Sequence, residues 1–220
     1  PGPTTGAQTV ITHRTETFAL APGQPAKPRF VAVAGETQYF GIATYDSNLN
    51  RRTIGGEKFV ISLGLLDQGT FDDYKNGTYR GKYKLQTAGS YALSVTVAEQ
   101  PVQQPQYMYD AATQSFPVIV VAAAVDPSQC FAFGGGLRAS LAGQSASFTI
   151  QARDEFQNRK ISGGDVFWGE FTQEGKTTTV NATDNKDGTY GVTYVLTTSG
   201  YYQIKLSHPS KDGFFQQMRD

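Results

Sequence analysis

Apolar side chains recur at every second position along short runs of this chain, the period of a strand with one buried and one wet face. Phe40 and Ile42 set the pattern within residues 38–44, followed by Phe59, Ile61 and Leu63, and then by Tyr91, Leu93, Val95 and Val97. The pattern returns as Phe148, Ile150 and Ala152, as Phe167 and Phe171, as Tyr190, Val192 and Tyr194, and as Tyr202, Ile204 and Leu206. Residues 30–33 and 116–121 read as further strands, and residues 10–20 alternate weakly enough to form a first edge strand. Asn76-Gly77 is a tight-turn signal between two such runs. Residues 21–28 hold three prolines without donors and are expected not to pair along their length. Residues 99–114, rich in Pro and Gln, interrupt the pattern as an insertion before the strand at 116–121. After Leu206 only residues 213–218 offer a closing strand.

One window occurs twice. At an offset of 108 residues, Asp46, Asn50, Arg51, Gly55, Gly56 and Phe59 fall on Asp154, Asn158, Arg159, Gly163, Gly164 and Phe167. Asn76-Gly77-Thr78-Tyr79 then answers Asp187-Gly188-Thr189-Tyr190, and Gly89-Ser90-Tyr91 answers Gly200-Tyr201-Tyr202, both at an offset of 111. Asp46 and Asn50 are expected to close turns through side-chain bonds to nearby backbone, with Gly55-Gly56 supplying positive φ. A period of about 110 residues is one β-sandwich per copy. The expected domains are 10–122, carrying the inserted loop 99–114, and 126–220.

Composition agrees with that reading. Of 220 residues, 24 are Gly, 12 are Tyr and 14 are Phe, while charged residues reach 17%. This is the profile of a turn-rich all-β chain. The formal net charge is zero, without a basic cluster to hold nucleic acid or an anionic membrane. The longest apolar run, 116–125, falls short of the roughly 18–20 residues of a membrane helix. The opening Pro1-Gly2-Pro3 is expected to belong to a fragment of a longer chain. The lone Cys130 excludes an intradomain disulfide and favours a reducing compartment. The N-x-Thr acceptors at Asn76 and Asn181 point the other way, so the compartment stays open.

The second copy resembles a filamin-type immunoglobulin repeat. The landmarks are Asp126-Pro127-Ser128-Gln129-Cys130, Gly134-Gly135-Gly136-Leu137, Ala142-Gly143 ahead of Phe148, Gly163-Gly164-Asp165, and Asp184-Asn185-Lys186-Asp187-Gly188-Thr189-Tyr190. The first copy is more divergent, with Glu57 in place of the Asp and the foreign insertion at 99–114. The resemblance implies two tandem antiparallel sandwiches of about seven strands each. It also implies a groove where a partner segment adds as a strand, lined by Val166, Trp168 and Glu170, with Thr177 and Thr179 across from them. Trp168 would then stand on an outward position of an edge strand. Such repeats imply a cytoplasmic scaffold that reaches actin through other parts of the parent chain. The alternative is an extracellular adhesion ectodomain, since gamete surface proteins also use these repeats.

Candidate chemistry is sparse. Asp184-Asn185-Lys186-Asp187-Gly188 lacks the alternating ligands and bidentate Glu of a calcium loop and reads as a hairpin turn. His13 and His208 lack ligand spacing and are expected at the surface. Gly134-Gly135-Gly136 lacks the setting of a phosphate loop and is expected to let an early strand bend. Cys130 is expected as a buried or half-buried thiol rather than a nucleophile. No nucleophile, base and oxyanion donor assemble. The expectation is no enzyme, no metal and no cofactor.

Overall fold

The computed structural model describes residues 4–13, 15–18, 27–64 and 67–214. The chain divides into two compact units, Pro1–Val121 and Ala122–Asp220. Among the described residues the only helical segments are two single 3-10 turns, at Gly6–Gln8 and Gly135–Leu137. All else that is regular is β-strand.

In the first unit the strands are β1 (Val10–Thr12), β2 (Thr15–Phe18), β3 (Lys27–Val33), β4 (Thr37–Ala43), β5 (Phe59–Leu63), β6 (Asp67–Asp73), β7 (Thr78–Lys84), β8 (Gly89–Val97), β9 (Gln100–Pro101) and β10 (Phe116–Val121). They pair in the order β1-β4-β7-β6-β5-β8-β10-β3-β2. The sandwich turns its corner at β6, which pairs with β5 through Asp67, Gln68 and Gly69 and with β7 through Thr70–Asp73. The alternating residues Phe40, Ile42, Ile61, Leu63, Leu93 and Val95 are buried together with Tyr79 and Phe116. Each such side chain contributes about 1.5–3 kcal/mol relative to exposure.

Four expectations need correction here. Residues 10–20 are not one strand; β1 pairs with β4, whereas β2 forms a hairpin with β3. Lys27 and Pro28, expected unpaired, lie opposite Phe18 and Thr17 in that hairpin. The sandwich is not wholly antiparallel, because β10 runs parallel to β3 with Val118 opposite Phe30. The insertion is not patternless either. Its β9 pairs with β8, Val102 N–H donates to Val95 O at 2.8 Å, and Val102 and Met108 are buried.

The second unit holds β11 (Phe131–Phe133), β12 (Ser145–Gln151), β13 (Trp168–Gln173), β14 (Lys176–Asn181), β15 (Thr183–Asp184), β16 (Thr189–Val195), β17 (Gln203–His208) and β18 (Lys211–Phe214). Two four-stranded sheets result, β11-β12-β16-β15 and β14-β13-β17-β18. Phe148, Ile150, Phe167, Phe171, Tyr190, Val192 and Leu206 form the core between them. The aromatic rings mesh closely, with Phe171 and Tyr194 at 4.4 Å and Phe167 and Tyr190 at 4.7 Å between centroids. A closing strand does exist: β18 places Phe214 opposite Leu206 and Lys211 opposite His208, two residues earlier than the sequence suggested. Residues 215–218 of that expectation lie outside the described residues.

The duplicated window is a duplicated set of hydrogen bonds. Asp46 accepts from the N–H of Asn48 and Asn50 and from Asn50 Nδ2, all within 3.0 Å. Asp154 accepts from the N–H of Phe156 and Asn158 and from Asn158 Nδ2 over the same range. The Gly56 N–H meets Asp73 at 2.8 Å, and the Gly164 N–H meets Asp184 at 3.0 Å. The Tyr79 and Tyr190 hydroxyls each accept a backbone N–H at 3.0 Å, from Glu57 and Asp165. Tyr91 and Tyr202 donate to the carbonyls of Thr87 and Thr198, four residues upstream, the tyrosine corner of immunoglobulin-like sandwiches. Gly77 and Gly188 are confined by packing as well as by φ. A Cβ would stand 2.0 Å from Arg52 O in one and 1.9 Å from Lys160 O in the other.

Candidate functional site

Of the residues that the sequence singles out, β13 carries Trp168 and Glu170, and β14 carries Thr177 and Thr179. Phe167, just before it, and Phe171 point into the core, so Trp168 and Glu170 fall on the outer face of the sheet by alternation. Trp168 is half-buried there, its Nε1–H donating to Glu170 Oε1 at 3.2 Å. Glu170 also meets Lys205 Nζ at 3.4 Å. The indole is therefore fixed by a short polar chain along the sheet surface. Thr179 lies opposite Glu170, Asn181 opposite Trp168, and Thr177 opposite Thr172, to which it is also joined hydroxyl to hydroxyl at 2.9 Å. Val166 precedes the strand and is 58% exposed.

Trp168, Glu170, Thr177 and Thr179 thus share one sheet face, but the slot expected between them does not exist. β13 is not an edge strand: it is paired with β14 on one side and β17 on the other. The cause is a two-residue hairpin at Glu174-Gly175, with φ of 49° and 75°. Positive φ at both positions gives the turn whose twist suits antiparallel strands. β14 folds back onto β13 over six residue pairs and takes the position that an added strand would occupy. In the first unit β5, with Lys58 just before it and Val60 and Ser62 within it, is likewise paired on both sides.

The sheet has two edge strands, β14 and β18, and its edge beside Trp168 and Glu170 is the outer side of β14. A two-residue hairpin makes its flanking pair, Gln173 and Lys176, a hydrogen-bonded one, and such pairs then alternate. Lys176, Thr178 and Val180 accordingly turn their N–H and C=O toward β13, and Thr177, Thr179 and Asn181 turn theirs outward. Thr177, Thr178 and Thr179 are exposed, and from Thr177 to Asn181 there is no charge or proline. These are the features with which edge strands usually prevent pairing. The corresponding edge of the first unit is shorter, since β6 leaves β5 after three pairs.

The other candidates resolve as scaffold. Asp184 accepts the N–H of Lys186 at 2.8 Å and of Gly164 at 3.0 Å, and Asp187 accepts both N–H and Oγ1 of Thr189. The Lys186 N–H foremost, and the Thr189 hydroxyl foremost, hold these carboxyls below the usual carboxylate range. Both acids serve the turn. Gly136 approaches so closely that a Cβ would lie 2.5 Å from Ser147 O, and its carbonyl accepts from the Tyr194 hydroxyl. Cys130 is 1% exposed, its Sγ 3.3 Å from Asp126 O, and burial pushes the thiol up to about 11.

Neither histidine lies free at the surface. His13 is half-buried, stacked on Phe30 at 4.8 Å and bonded to the Tyr83 hydroxyl at 2.9 Å. His208 is buried against Phe167, with Nδ1 2.8 Å from Ser210 Oγ. A signal was present, since His208 continues the inward set Tyr202, Ile204 and Leu206. Asn76 and Asn181 are both exposed; the Asn76 carbonyl oxygen accepts from the Thr78 N–H at 3.1 Å. Among the described residues no cluster of His, Cys, Asp and Glu could hold a metal ion, and no helix is long and apolar enough to cross a membrane.

The Filamin/ABP280 repeat family matches residues 16–106 and again 124–212. Filamin-A of Drosophila melanogaster is 28% identical over 150 residues, 67% of this chain and 6% of that protein. Filamin-C of Rattus norvegicus is 33% identical over 138 residues, 62% of this chain and 4% of that protein. The chain therefore spans only a small part of the relatives it matches. Among solved structures, the Escherichia coli adhesin FdeC superposes with a TM-score of 0.62 at 21% identity, covering 96% of this chain and 62% of that one. Invasin, a bacterial integrin-binding protein, gives 0.59 at 14% identity, covering 96% of this chain and 39% of that one. These two likenesses establish the fold alone. The two family matches fall one on each sandwich, and the chain belongs to the filamin repeat family as a tandem pair of its repeats.

Proposed function

We propose that this chain is a non-enzymatic structural and protein-binding segment of a larger filamin-like scaffold, and that it docks extended partner segments along the outer edge of β14. The observation that carries the reading is that unguarded edge, with Thr177, Thr179 and Asn181 turning backbone groups to solvent. Main-chain bonds to them supply affinity, and the outer-face row of Trp168, Glu170, Thr177 and Thr179 supplies selectivity. Attachment to actin belongs to other parts of the parent chain. Thr179→Pro tests the proposal. It deletes an outward N–H while leaving the inward ladder intact, a position where edge strands accept proline. Peptides selected from a displayed random library on the wild-type chain are expected to lose binding to Thr179→Pro. Equal binding to both would reject strand addition at β14.

A second reading, an extracellular cell-surface adhesion ectodomain, is favoured by the exposure of both glycan acceptors, Asn76 and Asn181. The two readings compete at one place, because Asn181 ends β14 opposite Trp168 and a glycan there would crowd the docking face. Mass spectrometry of protein from its native source separates them. Unmodified Asn76 and Asn181 are the scaffold result, and glycan mass on Asn181 is the adhesion result.

A further inference from the structure

The insertion at 99–114 builds one wall of a cavity, and among the described residues the second repeat has no counterpart of that insertion, since only two residues separate β17 from β18 there. On one side stand Tyr107, Met108, Tyr109, Asp110, Thr113 and Ser115; on the other, Arg29, Tyr91, Ala92 and Pro117 from β3, β8 and β10. Its volume of about 690 Å³ lies within the range of small-molecule sites. The insertion is tied down at this point: Asp110 and Ser115 exchange backbone hydrogen bonds of 2.8 and 3.2 Å, and Met108 is buried.

We propose that this cavity binds a sugar bearing a single carboxylate. Arg29 is the one cation in the lining, and among the described residues its buried Nε–H has no acceptor. A donor stripped of water is costly until an oxygen meets it, and a guanidinium fork suits a planar carboxylate. Asp110 also lines the cavity, its carboxylate already accepting the Ala112 N–H at 2.9 Å. That second charge repels a dianion such as phosphate more than a monoanion, so the carboxylate that Arg29 receives should be the ligand's only negative charge. Three tyrosines supply ring faces for the apolar side of a pyranose. Tyr109 is braced edge-on by Phe116 at 5.5 Å, Tyr91 is held by its bond to Thr87 O, and Tyr107 stands 74% exposed at the rim. The hydroxyls of Thr113 and Ser115, 2.7 Å apart, offer partners to sugar hydroxyls.

The test is a titration of the isotope-labelled 220-residue chain, followed by backbone amide shifts, with glucuronate, glucose and inorganic phosphate as probes. Glucuronate is expected to shift the amides of Tyr91, Ala92 and residues 107–115 saturably. Glucose, lacking only the carboxylate, should bind about tenfold or more weakly. Arg29→Gln should abolish the difference between the two sugars, and Tyr107→Ala, at an exposed rim position, should weaken both several-fold. Equal affinity for glucuronate and glucose, tighter binding of phosphate than of glucuronate, or no saturable shift at these amides would overturn the proposal.

Discussion

Replacing Asp154 with Ala removes one carboxylate and four of its hydrogen bonds. The side chain accepts from the N–H of Phe156 at 3.0 Å, of Asn158 at 2.8 Å and of Ala123 at 2.9 Å, and from Asn158 Nδ2 at 2.8 Å. The residue is 0% exposed, so the three backbone donors lose their acceptor where water reaches them poorly. An orphaned buried donor costs about 1–3 kcal/mol, and water entering the vacated space recovers part of it, which leaves about 4 kcal/mol for Asp154→Ala. Asp154→Asn keeps one acceptor oxygen and should lose about half of that. Urea unfolding followed by the emission of Trp168, the sole tryptophan, reads the second unit directly. With a slope of about 1.5–2 kcal/mol/M for a domain of this size, the midpoint should fall by roughly 2–3 M for Ala and about 1 M for Asn. A midpoint for Asp154→Ala within about 0.5 M of wild type would refute the view that the repeated Asp is a buried backbone clamp.

Three further outcomes follow from the same geometry. Gly188→Ala should cost about 3 kcal/mol or more in urea titrations, because its Cβ would meet Lys160 O at 1.9 Å; Gly175→Ala, with open space around it, should cost only the roughly 1–2 kcal/mol of its positive φ. Cys130, its thiol pushed up to about 11 by burial, should resist a disulfide reagent at pH 8 in the native chain and react once urea unfolds it; the stability gained by holding it protonated is present below the ordinary thiol value and is lost as pH rises through 11. Burial lowers the pKa of His208 against an opposing pull from Asp165, so its neutral ring stabilises the fold above the ordinary histidine value and that contribution disappears as pH falls through the lower folded value. The urea midpoint of wild type should accordingly drop on acidification more steeply than that of His208→Gln.

Where side chains alternate with period two, the strands were legible, and so were the turns that Asp46, Asp154, Asn76 and Asp187 close with their own side chains. Each of those signals is local. What the sequence concealed depends on contacts without a period. β14 is a run of threonines with no apolar alternation, and the turn before it requires positive φ at Glu174, a residue that advertises none. The groove expected beside β13 is therefore filled by β14, which pairs along it over six residues. Val102 and Met108 are isolated apolar residues in a Pro- and Gln-rich stretch, and only the folded insertion reveals that they are buried. The pairing of Pro28 escaped notice because proline lacks a donor, yet its carbonyl and its place in the β2–β3 hairpin do not require one.

Backbone amide exchange along β14 tests the docking edge most directly, because it reads each N–H separately. In the free chain, Thr178 and Val180 should exchange slowly while Thr177, Thr179 and Asn181 exchange at nearly unstructured rates. Adding a peptide selected on the wild-type chain should protect those three and leave the inward pair unchanged. Slow exchange at all five positions in the free chain, or peptide-induced protection on some other strand with none at β14, would contradict the account.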